Sequence, residues 1–332
     1  MIDTLFVEEE ILDECRTQYI ISRFPKAHLV EIERYQEIFN KRSQNFRIQK
    51  KNPALILAKK YDNFVLPAPS GFGVGASKNY YFSHMYNCIY DCRYCFLQGM
   101  YSSANYLVFV NYDDFYKAIK DTIRAYSNEK LTFYSGYDCD SLAFEKVTRF
   151  ARSTISFFRK HPSAEIEFRT KSVNLAPFIS SKVSQNCIIA FSLLPELLAK
   201  KLDRKAPSIR SRIDAIKNLA KRGWPVGLRF DPLIYCENWE ELYQDLIFEI
   251  MDGLKTVNIH SASHGPLRFP KKMYRNIIKL YPNEPLFTSP MTENRAVVAY
   301  SEKIESQMSE YISTLLEKHI RADQIFRCIV TV

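Results

Sequence analysis

Three cysteines fall within eight residues of each other in NCIYDCRYCFLQG (Asn87–Gly99), where Cys88, Cys92 and Cys95 make a C-x3-C-x2-C pattern. Thiolates this close on one loop are soft ligands for iron or zinc. Three of them can hold three irons of a [4Fe–4S] cube. The fourth iron is then open to a ligand from outside the protein, which is the arrangement needed to chelate a small molecule and pass it one electron. A closed zinc site wants four ligands, and the nearest candidate for a fourth is His84, four residues before Cys88. The other five cysteines, Cys15, Cys139, Cys187, Cys236 and Cys328, are scattered along the chain.

Charge is the second feature with chemical meaning. Lys and Arg number 46 against 37 Asp and Glu, a formal net charge of +9. Such a balance favours a polyanionic partner, most simply nucleic acid. The densest basic run is Lys200, Lys201, Arg204, Lys205, Arg210 and Arg212, with Asp203 its one acidic interruption. Clustered charge of this kind binds phosphate, or else lies on a solvated helix face. Lys41, Arg42, Arg47, Lys50 and Lys51 form a second run.

These groups need a scaffold, and from Tyr80 onward strand and helix patterns alternate. Strands are expected at Tyr80–Tyr86, Leu131–Gly136, Glu165–Lys171, Cys187–Leu193, Pro225–Leu233 and Thr256–Ala262. Helices are expected at Asp113–Tyr126, Ser141–Lys160, Ser208–Arg222, Trp239–Leu254 and Pro270–Leu280. The repeat predicts an α/β protein with a parallel sheet, as an open or partial (β/α)6 barrel. A doubly wound sheet is the competing topology. In either, ligands gather at the C-terminal ends of the strands. That puts the cysteine loop, Tyr137–Asp140, Lys171, Ser192 and Asp231 on one rim.

We divide the chain into an N-terminal extension (1–75), a main domain (76–282) and a short α/β tail (283–332). The extension is read as a helix near Lys26–Asn40, a strand at Ala54–Lys60 and a joining loop at Pro67–Asn79. The tail is read as a helix at Glu302–His319 and a strand over residues 325–330. An apolar share of 46% with 25% charged residues excludes bulk disorder. The acidic start MIDTLFVEEEILDE lacks the basic region of a secretory signal. No apolar run approaches the ~20 residues of a membrane span. Clustered thiols without a signal predict the reducing cytoplasm.

C-x3-C-x2-C after the first strand of a partial barrel resembles the signature of the radical S-adenosylmethionine (AdoMet) superfamily. Further segments narrow the resemblance to the spore photoproduct lyase-like branch, DNA-repair enzymes that split a crosslinked thymine dimer. CRYCFLQG (Cys92–Gly99), NYLVFVNYDDF (Asn105–Phe115), DSLAFEKVT (Asp140–Thr148), FRTKS (Phe168–Ser172) and FSLLPE (Phe191–Glu196) follow in the family's order. So do Arg212–Ile234 and Asn238–Leu246. The resemblance implies that Cys88, Cys92 and Cys95 hold the [4Fe–4S] cluster, and that AdoMet cleavage gives a 5′-deoxyadenosyl radical that takes hydrogen from the lesion. It also implies that Asp140, Lys171 and Ser192 line the AdoMet pocket, with Lys171 toward the cofactor's carboxylate. A cysteine and a tyrosine return the hydrogen in the family. The candidates here are Cys139 and Tyr94. DNA is the expected partner, with Lys200, Lys201, Arg204 and Lys205 on its phosphates, and a flavodoxin or ferredoxin is the expected one-electron donor.

The chain departs from the family's pattern in places. Phe96 stands where the family has a tyrosine after the third cysteine, and the family's donor cysteine falls on Tyr137, two residues from Cys139. The lesion-probing hairpin is reduced to Pro285–Tyr300, with Arg295 its lone basic residue. Other readings stay open: a radical AdoMet enzyme acting on RNA, a peptide or a small molecule, or a non-catalytic iron–sulfur or zinc protein that binds nucleic acid.

Overall fold

The computed structural model describes residues 2–254, 259–294 and 296–328. Six strands, Lys78–Phe82, Leu131–Ser135, Ala164–Thr170, Cys187–Ser192, Val226–Leu233 and Ile259–Pro266, lie side by side in chain order. Every neighbouring pair is parallel. A doubly wound sheet reverses its strand order midway; this one never does, so the partial barrel is the topology adopted. A seventh parallel strand, Ile325–Arg327, joins the sixth, and Leu66–Pro67 runs antiparallel beside the first. Among the described residues these two end strands do not pair with each other, so the barrel stays open.

The sequence explains these strands. Leu131–Ser135 and Cys187–Ser192 are buried at every position, as parallel strands covered on both faces must be. Helices Tyr112–Ala125, Phe150–Arg159, Ile209–Lys221 and Trp239–Asp252 follow the strands in alternation. Ser208 starts one of them by accepting the Ser211 N–H at 3.2 Å. The long helix expected from Ser141 is broken in two at Arg149, whose φ of 50° is left-handed. Its first residues form the rim loop instead, and the Glu145 carboxylate accepts the Ala151 N–H at 2.8 Å to start the second piece.

The N-terminal region differs from the sequence reading. The expected helix at Lys26–Asn40 is a strand, His28–Ile32, followed by a four-residue helix, Gln36–Phe39. HLVEI is aliphatic and partly β-branched, and it pairs in parallel with Thr4–Glu8; a neighbouring strand overrides weak helical spacing. A second sheet results, in the order His28–Ile32, Thr4–Glu8, Leu55–Ala58, Tyr106–Phe109, Met85–Tyr86. Its last two strands come from beyond residue 75. The strand expected at Tyr80–Tyr86 is therefore two, split at Ser83–His84. The chain leaves the barrel sheet after Phe82 and joins the N-terminal sheet. It then makes the cysteine loop, returns to that sheet at Tyr106, and only then enters the first barrel helix. The cysteine loop is thus anchored at both ends on the N-terminal sheet.

Past the sixth strand, Arg268–Pro270, Met291–Glu293 and Val297–Tyr300 form a small antiparallel sheet. Arg295, the start of the expected sixth strand at 256–258, and the end of the tail strand at 329–330 lie outside the described residues. Among the described residues no helix is long and apolar enough to cross a membrane.

Candidate active site

The C-terminal ends of the barrel strands and the cysteine loop enclose a cavity of about 400 Å³. Cys88, Cys92, Cys95, Asp140, Lys171, Ser192, Cys139 and Tyr94 all line it. Lys200, Lys201, Arg204 and Lys205 do not; all four are exposed outside it.

The loop is held by a few long-range contacts. Asp91–Cys92 pairs antiparallel with Asp203–Arg204, and the Arg93 N–H donates to the Leu202 carbonyl at 2.9 Å. The Asn87 amide donates to the Ser103 and Asn105 carbonyls, each at 2.8 Å, and so closes the neck of the loop. Gln98 donates to Asp91 at 3.0 Å and to the Cys92 carbonyl at 3.3 Å. The Tyr94 hydroxyl donates to Asp203, and Arg212 forms an ion pair with the same carboxylate at 2.7 Å. Arg212 is wholly buried. It also donates to the Ser192 carbonyl at 2.9 Å. Its place in the basic run is therefore corrected: it binds the fold together and offers no charge to a partner.

Burial pushes the Cys88 thiol up to about 12 and raises Cys92 and Cys95; Lys171 pulls against it at Cys92 and Cys95, and Lys50 at Cys88 and Cys95. Buried thiols of this kind become thiolates when a metal's own charge stabilises them. The donor set fits an iron–sulfur cube better than zinc. His84, the candidate fourth zinc ligand, is buried and stacks on Phe150 with centroids 3.6 Å apart and planes 3° from parallel. It does not line the cavity. Among the described residues no three His, Cys, Asp or Glu side chains gather around a single ion. A zinc site needs that convergence, whereas each thiolate of a cube takes a different iron.

Three successive strand ends supply the other expected residues. The Asp140 carboxylate accepts the Leu142 and Ala143 N–H groups at 3.0 and 2.8 Å, the Thr170 hydroxyl at 2.7 Å and the Lys171 N–H at 2.6 Å. It ties the loop after the second strand to the end of the third. Burial works to lower the Lys171 ammonium, but Cys92 and Asp203 raise it above its usual range. Its Nζ lies 5.3 Å from the Tyr94 ring centroid. Ser192 is a buried residue on the cavity wall.

Cys139 meets the cavity but also belongs to the buried apolar cluster that includes Val7, Leu57, Met85 and Val110, and burial raises its thiol well above the usual range. Phe96 and Tyr137 face each other with centroids 5.7 Å apart, and Tyr137 stacks on Tyr81 at 4.4 Å. Three further cavity residues escaped the sequence reading. Lys50 comes from the N-terminal region, with Nζ 3.5 Å from Asp91. Arg169 sits one residue from the end of the third strand, and Cys328 follows the seventh. Arg169 had a usable signal, since FRTKS already placed its neighbours. Cys328 had none, because its strand rejoins the sheet after some sixty residues of tail.

A model of the spore photoproduct lyase family matches residues 5–319. The spore photoproduct lyase of Clostridium acetobutylicum is 24% identical over 213 residues, 63% of this chain and 62% of that protein. That of Bacillus subtilis is 25% identical over 203 residues, 60% of this chain and 59% of its own length. The match thus spans about three fifths of these curated relatives. A solved spore photoproduct lyase double variant with bound AdoMet and dinucleoside spore photoproduct superimposes with a TM-score of 0.85 at 17% identity, over 100% of this chain and 99% of that one. A tyrosine-to-phenylalanine variant of spore photoproduct lyase gives a TM-score of 0.84 at 17% identity, over the same shares.

Proposed function

The chain belongs to the spore photoproduct lyase family, and on that footing we propose that it is a radical AdoMet enzyme repairing a pyrimidine photoproduct in DNA. The observation that carries the reading is the meeting of three thiols, Lys171, Ser192 and a further thiol, Cys139, in one cavity. When bound at Cys88, Cys92 and Cys95, a [4Fe–4S] cluster with AdoMet supplies a 5′-deoxyadenosyl radical for hydrogen-atom abstraction. Lys171 holds the cofactor's carboxylate. The Ser192 hydroxyl, on the cavity wall, hydrogen-bonds to the cofactor. Asp140 keeps Lys171 in place through its backbone N–H. The buried loop keeps bulk water from the thiols.

Cys139 is the donor that returns hydrogen to the product. Tyr94 is the weaker half of that pair, since its hydroxyl is already given to Asp203. Lys200, Lys201, Arg204 and Lys205 meet DNA phosphates beside the cysteine loop, to which Arg204 is paired. We place the protein in the cytoplasm, where a flavodoxin or ferredoxin supplies electrons. Phe96 and Tyr137 favour a second reading, in which the same chemistry acts on a different nucleic-acid substrate.

The test is anaerobic incubation of the iron-loaded protein with dinucleoside spore photoproduct, AdoMet and dithionite, followed by mass analysis of the nucleosides. Recovery of two thymidine residues supports repair. Formation of 5′-deoxyadenosine without repair supports the second reading. Neither product would refute both.

A further inference from the structure

Asp231 lies in the fifth barrel strand, on the cavity wall. Its Oδ2 accepts the Ser263 hydroxyl at 2.6 Å and Arg169 Nη2 at 3.4 Å. Its Oδ1 is shut off from solvent and has no hydrogen-bond partner. A buried carboxylate oxygen is costly to leave unpaired, so its partner belongs to whatever fills the cavity. The neighbouring sixth strand has a glycine, and so no side chain, beside this oxygen. A Cβ added at Gly265 would stand 3.1 Å from Asp231 Oδ1.

Arg169 stands beside this carboxylate. Its Nε donates to Glu167 at 3.3 Å and its Nη2 to Asp231, while Nη1 has no partner among the described residues. The guanidinium lies 5.3 Å from the Phe72 ring centroid. Phe72 packs edge-on against Tyr134 at 4.9 Å and Tyr137 at 6.4 Å, and all three rings line the cavity. An acceptor, a donor and aromatic faces thus lie together. A flat heterocycle carrying an N–H next to an acceptor atom satisfies all three: its N–H to Asp231, its acceptor to Arg169, its face on a ring.

We propose that Asp231 and Arg169 together bind the donor–acceptor edge of a nucleobase. This deepens the reading above and rests on it. Two bases there carry that edge: a thymine, with N3–H beside a carbonyl, and the adenine of AdoMet, with an N6–H beside N1.

Asp231→Asn tests the pair at almost constant shape. Arg169 Nη2 can only donate, so the amide oxygen takes the Oδ2 position and the NH2 takes that of Oδ1. The free acceptor becomes a donor. Binding is measured by equilibrium dialysis on the iron-loaded protein under anaerobic conditions. The probes are AdoMet, a thymidine dinucleotide and its N3-methylated counterpart, which has no N3–H to donate. The expected result is a loss of affinity of about tenfold or more, the size of one hydrogen bond to a charged group.

If the thymidine dinucleotide weakens and the N3-methylated one does not, the edge belongs to the substrate. If AdoMet alone weakens, it belongs to the cofactor's adenine. Unchanged binding of all three probes overturns the proposal. Wild-type protein that binds none of them overturns the reading beneath it instead. Iron content and the thermal midpoint report folding of the variant. Gly265→Ala puts a Cβ 3.1 Å from Asp231 Oδ1 and crowds it, and is expected to weaken the same probe.

Discussion

Replacing Arg212 by alanine separates a surface charge from a structural one. Its guanidinium and the Asp203 carboxylate are 0% and 2% exposed and 2.7 Å apart. Removing one partner of such a pair strands the other charge in the interior, at about 3–5 kcal/mol. The Ser192 and Pro207 carbonyls lose a donor as well. For 332 residues the unfolding entropy is roughly 0.7 kcal/mol per kelvin, so the midpoint should fall by about 4–7 °C. Arg204→Ala is the control. Its contact with Glu284 is 3.9 Å long and its side chain is 53% exposed, so it should move the midpoint by little. Thermal unfolding of the metal-free proteins, read by circular dichroism, compares the two. Because Asp203 also takes the Tyr94 hydroxyl and pairs with the cysteine loop, Arg212→Ala should further reduce the iron retained after reconstitution. Equal midpoints for the two variants would refute the assignment of Arg212 to the buried network.

Cys92→Ala should lose the oxygen-labile absorption of the cluster and most of its iron by colorimetric assay. Burial raises the Glu145 carboxyl to about 7. Its folded value stands above the unfolded one, so its contribution to stability is full below about pH 4.5 and is lost as pH rises toward 7. Glu145→Gln should flatten that part of the stability profile and be the more stable protein above pH 7, by roughly 2–3 kcal/mol in urea titrations. Cys139→Ala should still cleave AdoMet but release altered product; clean wild-type product would remove Cys139 from the reaction. Neutralising Lys201, Arg204 and Lys205 together should weaken binding to DNA of any sequence and reduce the salt-dependence slope by about 3.

The metal ligands and the strand-end residues were legible because their signals are local. Three thiols within eight residues cannot be an accident of core packing, and a parallel strand announces its own end. Contacts between distant segments were not legible. Asp203 read as a mere interruption in a basic run, yet it is the acceptor on which Tyr94 and Arg212 converge. His28–Ile32 carries weak helical spacing, and only the presence of Thr4–Glu8 beside it makes it a strand. Met85–Tyr86 and Tyr106–Phe109 are as apolar as the barrel strands, and nothing in their composition says which of two sheets they will join. Asp231 was placed on the rim, but its unpaired oxygen depends on where Ser263 and Arg169 lie.

The way the cysteine loop is closed has a consequence in time. Strands Thr4–Glu8, His28–Ile32 and Leu55–Ala58, which frame its anchorage, are all synthesised before Cys88. Asp203 and Arg212, which seal it, come more than a hundred residues after Cys95. At about 5–20 residues per second the three thiols stay uncovered for roughly 5–20 s during synthesis, docked by their neck but not yet sealed. Iron inserted in that interval meets open ligands. Iron offered to the finished chain meets a loop already fastened by the Tyr94–Asp203 hydrogen bond. Reconstitution of the folded protein should therefore be slow, and Tyr94→Phe, which removes that latch, should take up iron faster.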